Sequence, residues 1–549
     1  MHLFLKILVA VLIFFTPFSF AATEPWAFCI VQGLLLLAWI VLLIWRREFF
    51  YSHLFKPVAY VFLVLIGLGL LQSCFAHTLL QSSVWYPVTL IRLYTFDHLS
   101  LFVTYFGVVC LAFQVYASFD EVKQLLGCLV VCGLAVALCA LIFPHGTYII
   151  KLTGIRQATE AVGPFLNRNH GGLFLAMNAL LALGLFFTYQ LQGLKALGSQ
   201  AKRTFVVKQC WLGAVVLGLI LAAVFSRSRG AMLSLFIGLF SYALLCMWCV
   251  PQQIRKRLKR IFYTLLLLGA SCAWIYAHIP QINEFSHRTS GVSADIRQMM
   301  YRGAVDILKQ YPIWGIGEGA LPVVIPSYTE VRLSHYIEHL HNDWLEMTVE
   351  IGLIGAGLVL IGFIWFAVLA LKKLKRLPPH KQFLFAALLS ALLAMSIGCL
   401  VDFHFFIPGC SLVFLWALGG CLSPTFHKGH VHAIHMGWVI KIIILACFFA
   451  ACVIPFQKAR AWRAVWFGKG LKTEGKLKAY QQGLAYYPSP RNAVRLGNAY
   501  YNASKYEDEW IMQVYYLELA QQIAQEYLEK YPKDKELSQL YLRTRRQLD

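Results

Sequence analysis

The sequence predicts an all-α, polytopic membrane protein: a helical bundle with a large polar loop on one side and a soluble helical tail. Hydrophobic residues make up 59% of the chain and charged residues 13%, with a mean hydropathy of +0.63, too apolar for a soluble globule. Apolar runs recur at the length that a bilayer core requires, giving about thirteen spans. Basic residues fall in short clusters between those runs, so the formal net charge of +22 fits loops facing anionic headgroups and argues against nucleic acid as a partner. The 15 cysteines lie within or at the ends of apolar runs, which leaves the polar segments none to pair. No disulfide framework is expected, and Cys246 and Cys249, at a helix end, read as packing rather than redox chemistry.

Taken in order, residues 1–21 have the Lys6, apolar core and Phe20-Ala21-Ala22 of a signal peptide, but the next apolar run begins at Trp26, so an uncleaved first span is expected. Further spans are predicted near 26–45, 57–75, 99–117, 124–143, 171–192, 209–226, 230–250, 261–279, 350–371, 382–402, 405–423 and 438–456. The strongly basic connections are Arg46-Arg47, 195–208, 255–260 and 372–376, and with these spans all fall on one side. The positive-inside rule makes that side cytoplasmic, together with the amino terminus. The 76–98 loop, the 144–170 loop, the 280–349 stretch and the carboxyl tail then lie outside.

The 280–349 stretch is the most informative polar segment. From Ile296, the apolar residues Met300, Ala304, Ile307, Leu308 and Tyr311 recur at helical spacing until Pro312, with Arg297 beside the stripe. Gly315, Gly317 and Gly319 read as a flexible turn, which neither follows a strand nor carries the lysine of a nucleotide loop. A second helix is expected from near His339, carrying His341 into the next span. Two arginines, Arg227 and Arg229, sit in F-S-R-S-R-G-A-M-L where one apolar run ends and another begins. They either snorkel to lipid phosphates or serve a site on the outer face, and G-P-F-L-N-R-N-H, with Arg168, shares that face.

R-S-R-G-A-M-L, then R-Q-M-M-Y-R-G-A-V-D-I-L-K-Q-Y-P-I-W-G-I-G, then H-N-D-W-L-E-M-T-V-E-I-G-L-I-G resembles the shared domain of bacterial O-antigen ligases and O-antigen polymerases. G-P-F-L-N-R-N-H and D-F-H-F-F-I-P-G resemble its flanking segments, so the resemblance covers roughly residues 160–423 of a membrane domain 1–456. It implies an inner-membrane enzyme that transfers a glycan from undecaprenyl diphosphate to an acceptor hydroxyl on the periplasmic side. The acceptor would be lipid A-core, a growing glycan or a protein, with O-antigen ligation to lipid A-core the leading reading. By motif, the family's essential groups fall on Arg229, Arg297 and His341. Two guanidinium groups suit a diphosphate, whose oxygens they bind in pairs, and an imidazole suits the general base, giving inversion without a metal or other cofactor.

Other positions are accessory. His339 competes for the base, although two residues from His341 on a helix it would face elsewhere. Arg302 is expected to pair with Asp306 at i+4 or to act as a ligand, and Asp402 and His404 either line the cavity or are structural. The histidines at 427, 430, 432 and 435 have metal-like spacing but no cysteine or carboxylate partners, and no metal site is assigned there. The tail, 457–549, has amphipathic segments near 459–471, 474–486, 490–503, 508–530 and 534–546. Tyr486–Tyr501 resembles a tetratricopeptide helix pair, with too few repeats to stand without docking. A transporter would place its charges deep in repeated helices, unlike the pattern here.

Overall fold

The structure, a computed structural model, describes residues 1–75, 86–143, 161–193, 199–249, 294–329, 337–427, 431–507, 509–531 and 534–548. Ten of the described helices are long and apolar enough to cross a bilayer. They are α2 (Pro25–Trp45), α3 (Phe55–Cys74), α4 (Arg92–Val115), α5 (Phe119–Ile142), α6 (Arg168–Gly193), α7 (Ser199–Phe225), α8 (Arg229–Cys249), α10 (Asp343–Arg376), α11 (Pro379–Gly398) and α13 (Trp438–Gly468). Two further apolar helices, α1 (His2–Phe18) and α12 (Pro408–Leu422), have 17 and 15 residues. The expected span 261–279 and the basic run 255–260 lie outside the described residues.

The all-α class holds, with one addition that the sequence did not predict. Strand β1 (Glu48–Ser52) pairs antiparallel with β2 (Val431–His435), tying the end of α2 to the start of α13. The histidine cluster is therefore divided: His432 stacks on Tyr51, His427 Nε2 meets the Cys421 carbonyl at 3.1 Å, and His430 is outside the described residues.

Helix α6 runs through the middle of the bundle and is buried almost throughout, packed on α5, α7, α8, α11 and α12. Small residues permit this, since lipid supplies no hydrophobic drive between helices and close backbone contact must do so instead. A Cβ added at Gly184 would stand 2.3 Å from the Ala387 Cβ, and one at Gly172 would stand 2.4 Å from Ser226 Oγ. Proline inside α13 is compensated in the same spirit. Pro455 has no N–H to give the Ala451 carbonyl, which instead accepts Ser100 Oγ at 2.6 Å and Gln32 Nε2 at 3.4 Å.

The amphipathic helix α9 (Ala294–Gln310) forms where the apolar spacing places it. The helix expected from His339 does not begin there. Helix α10 starts at Asp343, capped by the Asn342 side chain on the Leu345 amide, so His339 and His341 precede it. It is also broken at Gly352, which has φ +71°. Residues 312–317 fill the break: the Ile316 and Gly317 amides donate to the carbonyls of Val349 and Glu350, while the Leu353 amide donates to that of Pro312 at 2.8 Å. Gly315, Gly317 and Gly319 all have positive φ and are buried, so this segment is a packed plug rather than a flexible turn.

Helix α13 continues without interruption from the membrane segment to Gly468, so the expected boundary at 456/457 falls inside one helix. Helices α14 (Thr473–Tyr486), α15 (Pro490–Lys505), α16 (Trp510–Lys530) and α17 (Lys535–Leu548) follow, each packed on the one before. The α14–α15 and α16–α17 turns face the polar loop, where Arg491 pairs with Glu338 and Lys535 Nζ donates to the Thr329 carbonyl at 2.8 Å.

A candidate active site at one end of the bundle

The connection between α11 and α12 gathers the polar groups. After Gly398 the chain turns tightly, with the Val401 and Asp402 amides donating to the Gly398 carbonyl, and this turns Asp402 inward to 1% exposure. Its carboxylate receives three donors. Oδ1 accepts from His341 Nδ1 at 2.6 Å and from the Phe403 amide at 2.9 Å, and Oδ2 accepts from Asn169 Nδ2 at 2.6 Å. Burial pushes this carboxyl up, but the His341 hydrogen bond and the neighbouring imidazoles outweigh it and hold the group well below the usual carboxylate range. An ionised Asp402 requires the proton on His341 Nδ1, leaving Nε2 as the lone-pair nitrogen.

His341 is held by its backbone as well as its ring. It adopts φ +56°, a left-handed conformation uncommon outside glycine, and its carbonyl accepts the Tyr301 hydroxyl at 3.1 Å. The Asp343 amide next to the cap donates to the Cys399 carbonyl at 2.8 Å, so the start of α10 is fastened to the end of α11. Arg297, one turn before Tyr301 on α9, donates Nη1 to the Val401 carbonyl at 3.4 Å, and its buried Nε has no protein acceptor. Helix α9 thus touches both Val401 and His341.

Arg229 opens α8. In the S-R-S-R run Ser226 and Ser228 are buried while Arg227 and Arg229 are exposed, and Ser228 Oγ caps the helix on the Ala231 amide at 3.2 Å. Gly230 carries the arginine turn onto the site, since a Cβ there would lie 2.8 Å from the Val401 side chain. Arg297 and His341 therefore meet the Val401-Asp402 pair directly, and Arg229 flanks it through Gly230. Arg168 is half-buried at the first residue of α6, one position before Asn169. Arg302 is exposed on α9, and Asp306, the partner expected for it, pairs with Lys309 at 2.9 Å.

His339 does not face away from His341 on a common helix, because neither residue is helical. Its Nδ1 pairs with Glu346 at 2.7 Å, and its ring is stacked between Phe403 and Phe406. Burial lowers its pKa, but the carboxylates of Glu346 and Glu338 prevail and raise it to about 9. His404 is the opposite case: burial pulls it down to about 4, with Asp402 opposing. His170 and His404 share a hydrogen bond between their Nδ1 atoms at 2.9 Å, and the Cys410 thiol donates to the His170 carbonyl at 3.2 Å. These three place possible ligand atoms within 4.8 Å of one another, but each is already engaged by hydrogen bonding.

Residues 213–360 match the family model described as O-antigen ligase. The match covers about a quarter of the chain, and that stretch is similar to the O-antigen ligase family. No curated protein matches the chain. The ligase-family match runs from α7 through the break in α10 and contains Arg227, Arg229, Arg297, Arg302, His339 and His341; Arg168 and Asp402 lie outside it. This is a multi-pass membrane protein that carries an O-antigen ligase-like domain. Sequence reasoning did not single out Asn169, Tyr301 or Glu346. Asn169 stands in the quoted N-R-N-H run and Tyr301 lies four residues after Arg297, so motif context could have found the first and helical spacing the second, while neither marks the reach of Glu346 back over the start of its own helix.

Proposed function

We propose that this protein transfers a glycan from undecaprenyl diphosphate to an acceptor hydroxyl at the periplasmic face of the inner membrane, with O-antigen ligation to lipid A-core as its reaction. The observation that carries this reading is an apolar groove ending beneath the polar cluster. The cavity, about 690 Å³, lies between α3, α8, α10 and α11, with Leu65, Leu244, Phe363 and Leu392 among its walls. It follows α10 beyond the break from Val359 to Leu371, roughly 18 Å at helical rise, and reaches Asp343, Trp344, Cys399 and Phe406 at the site end, where Trp344 packs edge-on against Phe363. A polyprenyl chain in this groove brings its diphosphate to Arg297 and Arg229.

In the step that follows from this placement, His341 Nε2 takes the proton of the acceptor hydroxyl as its oxygen attacks the anomeric carbon. The bond from that carbon to the diphosphate oxygen breaks, and the electron pair leaves with the diphosphate, whose growing charge the two guanidinium groups stabilise. Attack opposite the leaving group inverts the anomeric centre. Asp402 fixes the tautomer and steadies the imidazolium. The basic clusters at the far ends of α2 and α10 support a cytoplasmic amino terminus and a periplasmic tail.

The tail, read as a tetratricopeptide-like module, rests on Glu338 and Thr329 beside the site, and this favours a second reading in which the acceptor is a growing polysaccharide or a protein. Deleting the gene and running lipopolysaccharide on a gel separates these. Loss of the whole ladder with core intact supports ligation. Core bearing one repeat indicates polymerisation, and an unchanged ladder indicates another acceptor.

A further inference from the structure

The site holds three imidazole–carboxylate pairs in a row, and the step above uses one of them. His341 is on Asp402 at 2.6 Å, His339 on Glu346 at 2.7 Å, and His98 faces Glu350 at 3.6 Å. Phenyl rings interleave them. Phe406 stacks on His339 and lies tilted against His98, and Phe403 stacks on His339 while meeting His341 edge-on. His339 is the most constrained of the three. Both ring faces are covered, Nδ1 is spent on a carboxylate that is 1% exposed, and the same carboxylate holds the Leu340 amide at 2.8 Å. The side chain nevertheless retains 19% exposure, which leaves the Nε2 edge for a ligand.

We propose that His339 is a standing imidazolium that donates Nε2–H to the diphosphate of the lipid donor, a third cationic group beside Arg229 and Arg297, while His341 serves as the base. The geometry divides the labour: an imidazole whose proton is secured by a buried carboxylate and whose faces are sealed by two phenyl rings is a fixed donor, not an acceptor of protons. Phosphate oxygens are the acceptors that a charged N–H binds best. The inference rests on the donor proposed above.

The charged and titratable groups around His339 are Glu338 and His341 on its own segment, Asp343, Glu346 and Glu350 from α10, His98 from α4, His170 from α6, Asp402 from the α11–α12 connection, and Arg491 from the tail on Glu338. Its pKa, raised to about 9, means that the cation is present below that pH and lost as pH rises through it.

The full chain in phosphatidylglycerol–phosphatidylethanolamine nanodiscs is titrated with undecaprenyl diphosphate, with undecaprenol as the neutral control. The variant His339→Gln/Glu346→Gln removes both charges together, so no buried carboxylate is left unpaired; it is expected to weaken diphosphate binding about tenfold. His339→Lys, which keeps the charge, and Lys309→Gln, on an exposed part of α9, should bind within about threefold of wild type. Wild-type binding should fall between roughly pH 8 and 10, and Glu346→Gln alone should move that fall to lower pH. A double variant that binds within twofold of wild type, or an unshifted pH step in Glu346→Gln, overturns the proposal while leaving the donor reading intact. If the wild type binds the diphosphate no better than undecaprenol, both fall.

Discussion

At the scale of single residues, the polar cluster is tied together by the buried carboxylate of Asp402. Its two oxygens hold His341 and Asn169, joining α6 to the segment before α10. Asp402→Asn preserves the shape but puts an amide N–H where His341 requires an acceptor, or forces the other tautomer. Transfer should fall by at least about a hundredfold with the protein still inserted, and His341→Gln should fall at least as far. Single-turnover transfer of a labelled lipid-linked glycan measures both. His404 makes a separate prediction about acid. Its pKa is depressed by burial to about 4, against about 6.5 unfolded, so the unfolded chain binds the proton more readily and stability is lost as pH falls below about 6.5. His404's share of the loss at pH 5 should be about 2 kcal/mol, and His404→Asn should reduce the total loss by about that amount. Melting in detergent between pH 7 and pH 5 checks it.

At the scale of elements, the break in α10 shapes the approach to the site. Gly352 has φ +71°, and an added Cβ would stand 2.2 Å from the Ile313 carbonyl oxygen. Gly317, across the junction, is equally closed, with a Cβ there 2.4 Å from Thr89 Oγ1. Gly352→Ala should therefore cost about 3 kcal/mol, from backbone strain and displacement of the plug, and should lower the melting temperature and transfer together. The helix period marked α9 and most of the spans, because apolar side chains repeat every three or four residues whatever they pack against. It could not mark the break. Nothing in the period says that residues 312–317 supply the hydrogen bonds that a continuous helix would have made for itself, so the three glycines read locally as a loose turn. The ribbon of β1 and β2 was missed for a related reason, its strands being nearly four hundred residues apart in sequence and paired only through the bundle.

At the scale of the whole molecule, the tail is braced against the loop that carries the histidines. Arg491 meets Glu338, the residue before His339, and Lys458 meets Asp97 on α4. The Arg491–Glu338 pair is about half exposed on each side, so it contributes at most about 1 kcal/mol and is weakened by salt. Arg491→Glu should make the tail more susceptible to trypsin, roughly fivefold in cleavage rate, and the swap Glu338→Arg/Arg491→Glu should restore protection. If the swap protects no better than the single change, the contact does not hold the tail in place.

By itself the sequence determined the membrane class, the approximate places of most spans and the stretch that resembles O-antigen ligases, because hydropathy and motif order are local properties of a chain. Tertiary structure alone decided that the α11–α12 turn is the hub, that His341 and His339 sit on different carboxylates ahead of their helix, and that an apolar groove ends below them. The physical reason is that a hydrogen-bond partner is chosen by proximity in the folded bundle: Asp402 lies 61 residues from His341 and 233 from Asn169, and no spacing rule reaches that far.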